Sequence, residues 1–187
     1  MELLFPPSHE PVELADYDPA WPVAFEHLRR LLAAALGEAA IRVEHVGSTS
    51  VPGLAAKPIV DVQVSVADVD DEDSYRPAIE ALGWPLHLRE PGHRYFRPPT
   101  PQPRTVQVHV CSAGSEWEWR HLLFRDYLRA HPERAGAYEE LKRKLVASHG
   151  HDRLLYTDEK GPFIDETVAL AERWAEQSGW WYGPKPV

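Results

Sequence analysis

Cysteine is nearly absent: Cys111 stands alone in 187 residues, so no disulfide can form within the chain. That excludes the small disulfide-stapled folds and makes a reducing cytoplasm the simplest setting. Cys111 itself reads as a buried structural thiol, since no partner can be assigned to it as a nucleophile. A long apolar run is also missing, nothing approaching the roughly 18 residues that a membrane span needs. The opening stretch MELLFPPSHEPVE is acidic and broken by proline, where a signal peptide would be basic and then apolar. The expectation is a soluble, cytoplasmic protein with no membrane contact. Positive charge is in short supply as well: 20 Lys and Arg stand against 29 Asp and Glu, a net charge of −9. This argues against general DNA or RNA binding, which needs a basic face, but leaves room for a local basic pocket holding one nucleotide. No internal repeat is visible. What is present is 43% hydrophobic residues and seven Trp, enough for a packed core in a single domain spanning 1–187.

Residues 1 to 17 carry three prolines and read as an extended arm. Asp18 followed by Pro19 predicts a helix start, Trp21, Phe25, Leu28 and Leu32 recur at helical spacing, and Gly37 ends the element. Ile41 to Val46 reads as a strand. Val60, Val62, Val64 and Val66 fall on one face of a second strand, and Asp61, Gln63 and Ser65 on the other. The acidic run Asp68 to Asp73 reads as a solvated loop before a helix near Tyr75 to Leu82. Pro85 to Arg89 and His93 to Arg97 form a hairpin about Pro91-Gly92, with Arg94 and Arg97 able to face a pocket. Thr105 to Cys111 alternates cleanly, placing Gln107 and His109 together. Beyond Gly114 the pattern turns helical. Ser115 with Glu118 has capping-box spacing, Pro132 opens another helix, SHGHDR is a polar loop, and a last helix covers about Asp158 to Gln177. The expected organisation is a sheet-containing core over 1–112, a helical subdomain over 113–178 and an aromatic tail over 179–187.

The chain centres on VEHVGSTSVPGLAAKPIVDVQV. A carboxylate on a strand beside a Gly-Ser turn is suited to holding a metal and a phosphate, the turn's N–H groups and the Ser48 hydroxyl serving as donors. Lys57 lies four residues beyond Gly53, so this is no P-loop. It reads either as a surface lysine or as a phosphate contact. His45, just before the turn, reads either as a core histidine or as a member of a cluster with Asp61 and His109. His149, His151 and Asp152 have metal-like spacing but sit in a Gly-containing polar loop.

Gly47-Ser48 followed by Asp61 resembles the nucleotidyltransferase-superfamily signature. More closely, HVGSTSVPGLAAKPIVDV, with FRDYL, AYEELK and YTDEKGPFI, resembles the GrpB family, found alone or fused to dephospho-CoA kinase. The resemblance implies an α+β fold, a nucleotidyltransferase-like mixed β-sheet flanked by helices with a C-terminal helical subdomain. It implies a small-molecule nucleotide and an unknown acceptor as partners, and transfer of a nucleotidyl group. Asp61 and His45 would be catalytic, and Gly47, Ser48, Thr49, Lys57, Arg125, Lys142 and Lys160 would contact nucleotide and phosphate. Asp61, Gln63 and His109 would hold Mg²⁺ or Mn²⁺. Gln63 and His109 stand where the superfamily carries carboxylates, so much less negative charge is available for metal. The alternative is a non-catalytic module for a nucleotide or coenzyme-A-related ligand on a degenerate site. A third reading makes the WWY tail an anchor for a protein partner.

Overall fold

The computed structural model describes residues 2–4 and 11–181. Its centre is a mixed sheet of six strands: β1 (Glu2–Leu3), β2 (Arg42–Val46), β3 (Val60–Val66), β4 (Leu86–Glu90), β5 (His93–Phe96) and β6 (Val106–Ser112). The order is β1-β4-β5-β6-β3-β2, with β3 and β6 parallel and the other neighbours antiparallel. The alternation in β3 comes out as read. Val60, Val62, Val64 and Val66 are buried with Val106, Val108 and Val110 against Leu32 and Leu36 of α1 (Ala20–Leu36) and Ile79 of α2 (Arg76–Ala81). Full burial of a valine is worth about 1.5–3 kcal/mol, so this one face accounts for much of the drive to fold.

Helix ends follow local chemistry. Asp18 Oδ1 accepts from the Ala20 N–H at 2.8 Å, and α1 closes at Gly37, whose φ of 54° suits only glycine well. Ser115 Oγ accepts from the Glu118 N–H and starts α3 (Glu116–Ala130), as the capping-box spacing predicts. The opposite, polar face of the sheet lies under this helix. Glu118 reaches down from α3 to take the Ser65 hydroxyl and the Gly114 N–H, with the Arg42 guanidinium at 3.4 Å.

Two readings are corrected. SHGHDR is not a loop throughout: α4 (Pro132–His149) runs to His149, and Asp152 then caps a short helix, α5 (Arg153–Asp158), through the N–H groups of Leu154 and Leu155. The last helix, α6 (Gly161–Ser178), begins after it. The acidic run is not simply solvated, because Glu72 binds Arg89 and Arg94, which hold its carboxyl down at about 2. Gly47 leads into a single 3-10 turn, Ser48–Ser50. The tail lies outside the described residues beyond Trp181. Within them, Trp180 donates from Nε1 to Asp126 at 3.1 Å.

Candidate active site

On the polar face of the sheet, β3, β5 and β6 meet α3, α4 and α5 around a cavity of about 510 Å³. Gly47 brings the turn onto Asp61. Its φ is 68°, and a Cβ there would strike the Asp61 carboxylate, so backbone conformation and space both demand glycine. In the amide orientation that satisfies its neighbours, Gln107 donates to Asp61 Oδ1 at 2.9 Å and accepts from Arg104 Nε at 2.9 Å and from the Tyr95 hydroxyl. Asp61 and Gln107 face each other in the parallel register of β3 and β6, which fixes this contact.

Cations dominate the wall. Lys57, Arg104, Lys142, Arg153 and Lys160 line it, against the carboxylates of Asp61 and Asp158. Lys142 is 2% exposed, and its Nζ donates to the Ala55 carbonyl, while Glu139 one residue-triplet earlier on α4 takes the Ala55 N–H at 2.9 Å. This double clamp fixes the loop that carries Lys57. The ammonium groups of Lys57 and Lys160 stand 5.6 and 4.7 Å from the centre of the Tyr156 ring, within cation–π range. Burial, reinforced by the Lys160 charge, pushes Lys57 and Lys142 down to about 7; burial takes Lys160 to about 8, partly offset by Asp61. Three lysines thus share one low-dielectric space, with Asp61 and Asp158 the lining carboxylates among the described residues.

Opposite the lysines runs a column of stacked rings. Tyr95, His109, His93, Trp117 and His121 follow one another with centroid separations of 5.2, 5.1, 4.4 and 3.6 Å. Burial lowers His93 to about 2 and His121 to about 4, so both rings are neutral at physiological pH. His109 Nε2 stands 3.6 Å from Asp61 Oδ1.

Of the residues expected from sequence, Asp61, Gly47, Ser48, Thr49, Lys57, His109, Lys142 and Lys160 line the cavity, while His45, Gln63 and Arg125 do not. His45 stacks on Phe25 and bonds to Thr49 Oγ1 at 3.0 Å, and burial pushes it down to about 4, which is the core reading of that histidine. Arg125 is occupied by Glu44, Asp126 and the His45 carbonyl. Gln63 is fully buried, and neither amide atom has a hydrogen-bond partner among the described residues. Of the expected metal trio, Asp61 and His109 stand together at the cavity, whereas Gln63, beside His109 in the parallel register, is fully buried and does not line it; among the described residues no group of three His, Cys, Asp or Glu can hold a metal ion. One carboxylate and one imidazole are too few for a two-ion centre. Arg94 and Arg97 also lie off the cavity, Arg94 held by Glu72 and Asp70, and Arg97 beside His87 and the Pro98 carbonyl. Sequence reading missed Arg104, Arg153, His93 and Trp117. Only strand alternation, which puts His93 and Tyr95 on one face of β5, pointed toward any of them.

Fold and site together define an α+β protein with a basic cavity set on the polar face of a mixed sheet. Residues 11–169 match the family described as GrpB protein, and this chain belongs to that family. It is 44% identical over 164 residues to a UPF0157 protein of Streptomyces coelicolor, covering 88% of this chain and 86% of that one. The crystal structure of the conserved protein GrpB from Enterococcus faecalis superposes with a TM-score of 0.78 at 36% identity, covering 87% of this chain and 99% of that one. A protein named dephospho-CoA kinase from Mycolicibacterium paratuberculosis is 29% identical over 199 residues, and the match takes up 92% of this chain but 49% of the kinase. Among the described residues no helix is long and apolar enough to cross a membrane.

Proposed function

We propose that this protein binds a nucleoside triphosphate, or a coenzyme bearing comparable phosphates, in the cavity above Asp61. One observation carries the reading: Lys57, Lys142 and Lys160 converge there beside Arg104, and among the described residues the carboxylates lining the cavity are those of Asp61 and Asp158. Ammonium groups forced together and out of water lose protonation, as the values near 7 and 8 for the three lysines record. A polyphosphate restores it, supplying acceptors for charge-assisted hydrogen bonds of about 1.5–3 kcal/mol each. The lysines take the place of metal as phosphate countercharge, so affinity survives chelation of divalent ions. The nucleotidyltransferase likeness of the Gly-Ser turn and Asp61 belongs to this reading, with transfer to an acceptor hydroxyl as its chemical extension.

The test is a thermal-shift series with the four ribonucleoside triphosphates, coenzyme A and pyrophosphate, each with Mg²⁺ or chelator. A ligand at ~100 times its Kd adds about 2.7 kcal/mol and raises Tm clearly. A shift retained in chelator and at least halved in Lys142→Met is expected. Unchanged Tm with every ligand overturns the proposal.

A further inference from the structure

The ring column contains a chain of hydrogen bonds whose direction can be worked out. Glu90, at the end of β4, meets His93 Nδ1 at 2.7 Å, and His93 Nε2 meets His109 Nδ1 at 2.9 Å. A carboxylate only accepts, so His93 carries its proton on Nδ1. His93 is 5% exposed, and burial disfavours the charged imidazolium; in the neutral ring with its proton on Nδ1, Nε2 carries a lone pair and accepts. His109 then donates from Nδ1, and in the neutral ring Nε2 is the bare nitrogen. That nitrogen lies at the cavity, 3.6 Å from Asp61 Oδ1, and the two acceptors have no proton of their own to share. The groups packed around His109 do not reverse this order. Tyr95 and Trp117 offer ring faces, His121 is engaged through Nδ1 with the Trp117 carbonyl, and Gln107 satisfies Asp61 from the side.

We propose that Glu90 and His93 are positioning residues that lock His109 in the tautomer whose Nε2 is a proton acceptor, so that His109 takes the proton of a hydroxyl donor entering beside Asp61. In that step the O–H bond breaks, the electron pair stays on oxygen, and the proton joins Nε2. The imidazolium so formed is stabilised through His93 by the Glu90 carboxylate and directly by Asp61, as a carboxylate stabilises the histidine of a hydrolase triad. The identity of the hydroxyl donor rests on the nucleotide reading; the tautomer does not.

Two-bond ¹⁵N–¹H imidazole correlation spectra of the ligand-free protein test this directly, with a His109→Gln sample for assignment. The expected wild-type pattern is one tautomer at His109, protonated on Nδ1 and bare on Nε2, with His93 the same. Glu90→Gln replaces a pure acceptor with an amide that can also donate, and the single-tautomer pattern at His109 should be lost. Glu90 is one-third exposed, so this variant folds. Carbethoxylation of His109 Nε2 by diethyl pyrocarbonate should slow in the same variant, since a bare nitrogen is the nucleophile. A wild-type His109 protonated on Nε2, or a pattern unmoved by Glu90→Gln, overturns the proposal. Because no ligand is present, this result and a failed nucleotide shift are separate outcomes.

Discussion

The polar face of β3 treats its two ends in opposite ways. At one end Ser65 is fully buried, and Glu118, itself 1% exposed, closes the site by taking the Ser65 hydroxyl and the Gly114 N–H beside Arg42. At the other end Asp61 keeps a quarter of its side chain exposed and faces a wall of cations. The same strand, the same face and the same kind of chemistry thus give a closed structural knot four residues from an open basic cavity. The difference lies in the neighbours. α3 covers Ser65 with a carboxylate that has every partner it needs, whereas Lys142 of α4, Lys57 and Lys160 face the cavity above Asp61, where Asp61 and Asp158 are the carboxylates in the wall among the described residues. Partner balance, more than polarity, separates the structural end from the end with chemistry left to do.

The sharpest way to break the contrast is Glu118→Ala. It strands a buried hydroxyl, an amide N–H and a guanidinium, and breaking such a pair from one side costs about 3–5 kcal/mol. Against a total stability of roughly 5–15 kcal/mol, that is a large share. Urea unfolding should show the midpoint falling steeply, with phosphate affinity of the remaining folded protein unchanged. A loss below about 1 kcal/mol would mean that Glu118 is not the keystone of that end.

At the cavity end the corresponding change is Lys142→Met, which keeps the buried stem and deletes the charge. Phosphate affinity should drop by about 10- to 100-fold, the worth of one charge-assisted contact, as read by calorimetry with pyrophosphate. Stability should change by less than about 1 kcal/mol, because removing a buried ammonium offsets the lost hydrogen bond to the Ala55 carbonyl. The pH dependence follows with its sign. Lys57 and Lys142 are depressed from 10.5 to about 7 in the folded chain, so the unfolded chain binds more protons between those limits. The penalty is fully present below pH 7 and is relieved as pH rises through the window, so this contribution to stability increases with pH. Anion binding needs the protonated lysines and runs the other way. Affinity for a phosphate monoester, whose second pKa of about 6 leaves its charge nearly constant over this range, should fall steadily from about pH 7.5 to about pH 9. Affinity flat across that range would remove the lysines from the contact.

Much of the frame was legible. Valine alternation set the core face of β3, Asp18 and Ser115 announced two helices, and Gly47 with Asp61 marked the centre of the site. Depth along a face was not. Alternation puts Asp61, Gln63 and Ser65 on one side, but only the position of α3 decides that Asp61 meets the cavity and Gln63 does not. Arg104 and Arg153 come from segments with no periodic signal, and α5 hides in a His- and Gly-rich stretch that reads as loop until Asp152 is seen capping it. Lys142 lies on a helix, where a lysine is by default a surface residue. Its burial comes from the loop at Ala55, 87 positions away in the chain, which no local pattern encodes.

Gln63 stands between the two ends and sharpens the comparison from the middle. With both amide atoms buried and without a hydrogen-bond partner among the described residues, it carries a desolvation cost of about 1–3 kcal/mol. Gln63→Met preserves the volume and removes the polar atoms, so unfolding should show a gain of about 1 kcal/mol. Destabilisation instead would mean that the amide has a partner in solution, and would restore Gln63 as a candidate ligand beside Asp61.

The smallest effect on stability is expected at Asp61 itself, and there the sign of a binding change decides most. Asp61→Asn keeps an acceptor for Gln107 and stays clear of Gly47, so stability should move by no more than about 1 kcal/mol. If phosphates are held by lysines and arginines alone, the Asp61 carboxylate repels them. Removing its charge should then tighten pyrophosphate binding in chelator by about three- to tenfold, a like-charge contribution near 1 kcal/mol at the effective dielectric of a half-exposed site. If Asp61 instead anchors a divalent ion that bridges to phosphate, the same substitution weakens binding in Mg²⁺ and leaves it unchanged in chelator. One titration in each buffer thus separates a cationic cavity with a carboxylate reserved for the His109 proton from a metal site whose remaining ligands come from the nucleotide.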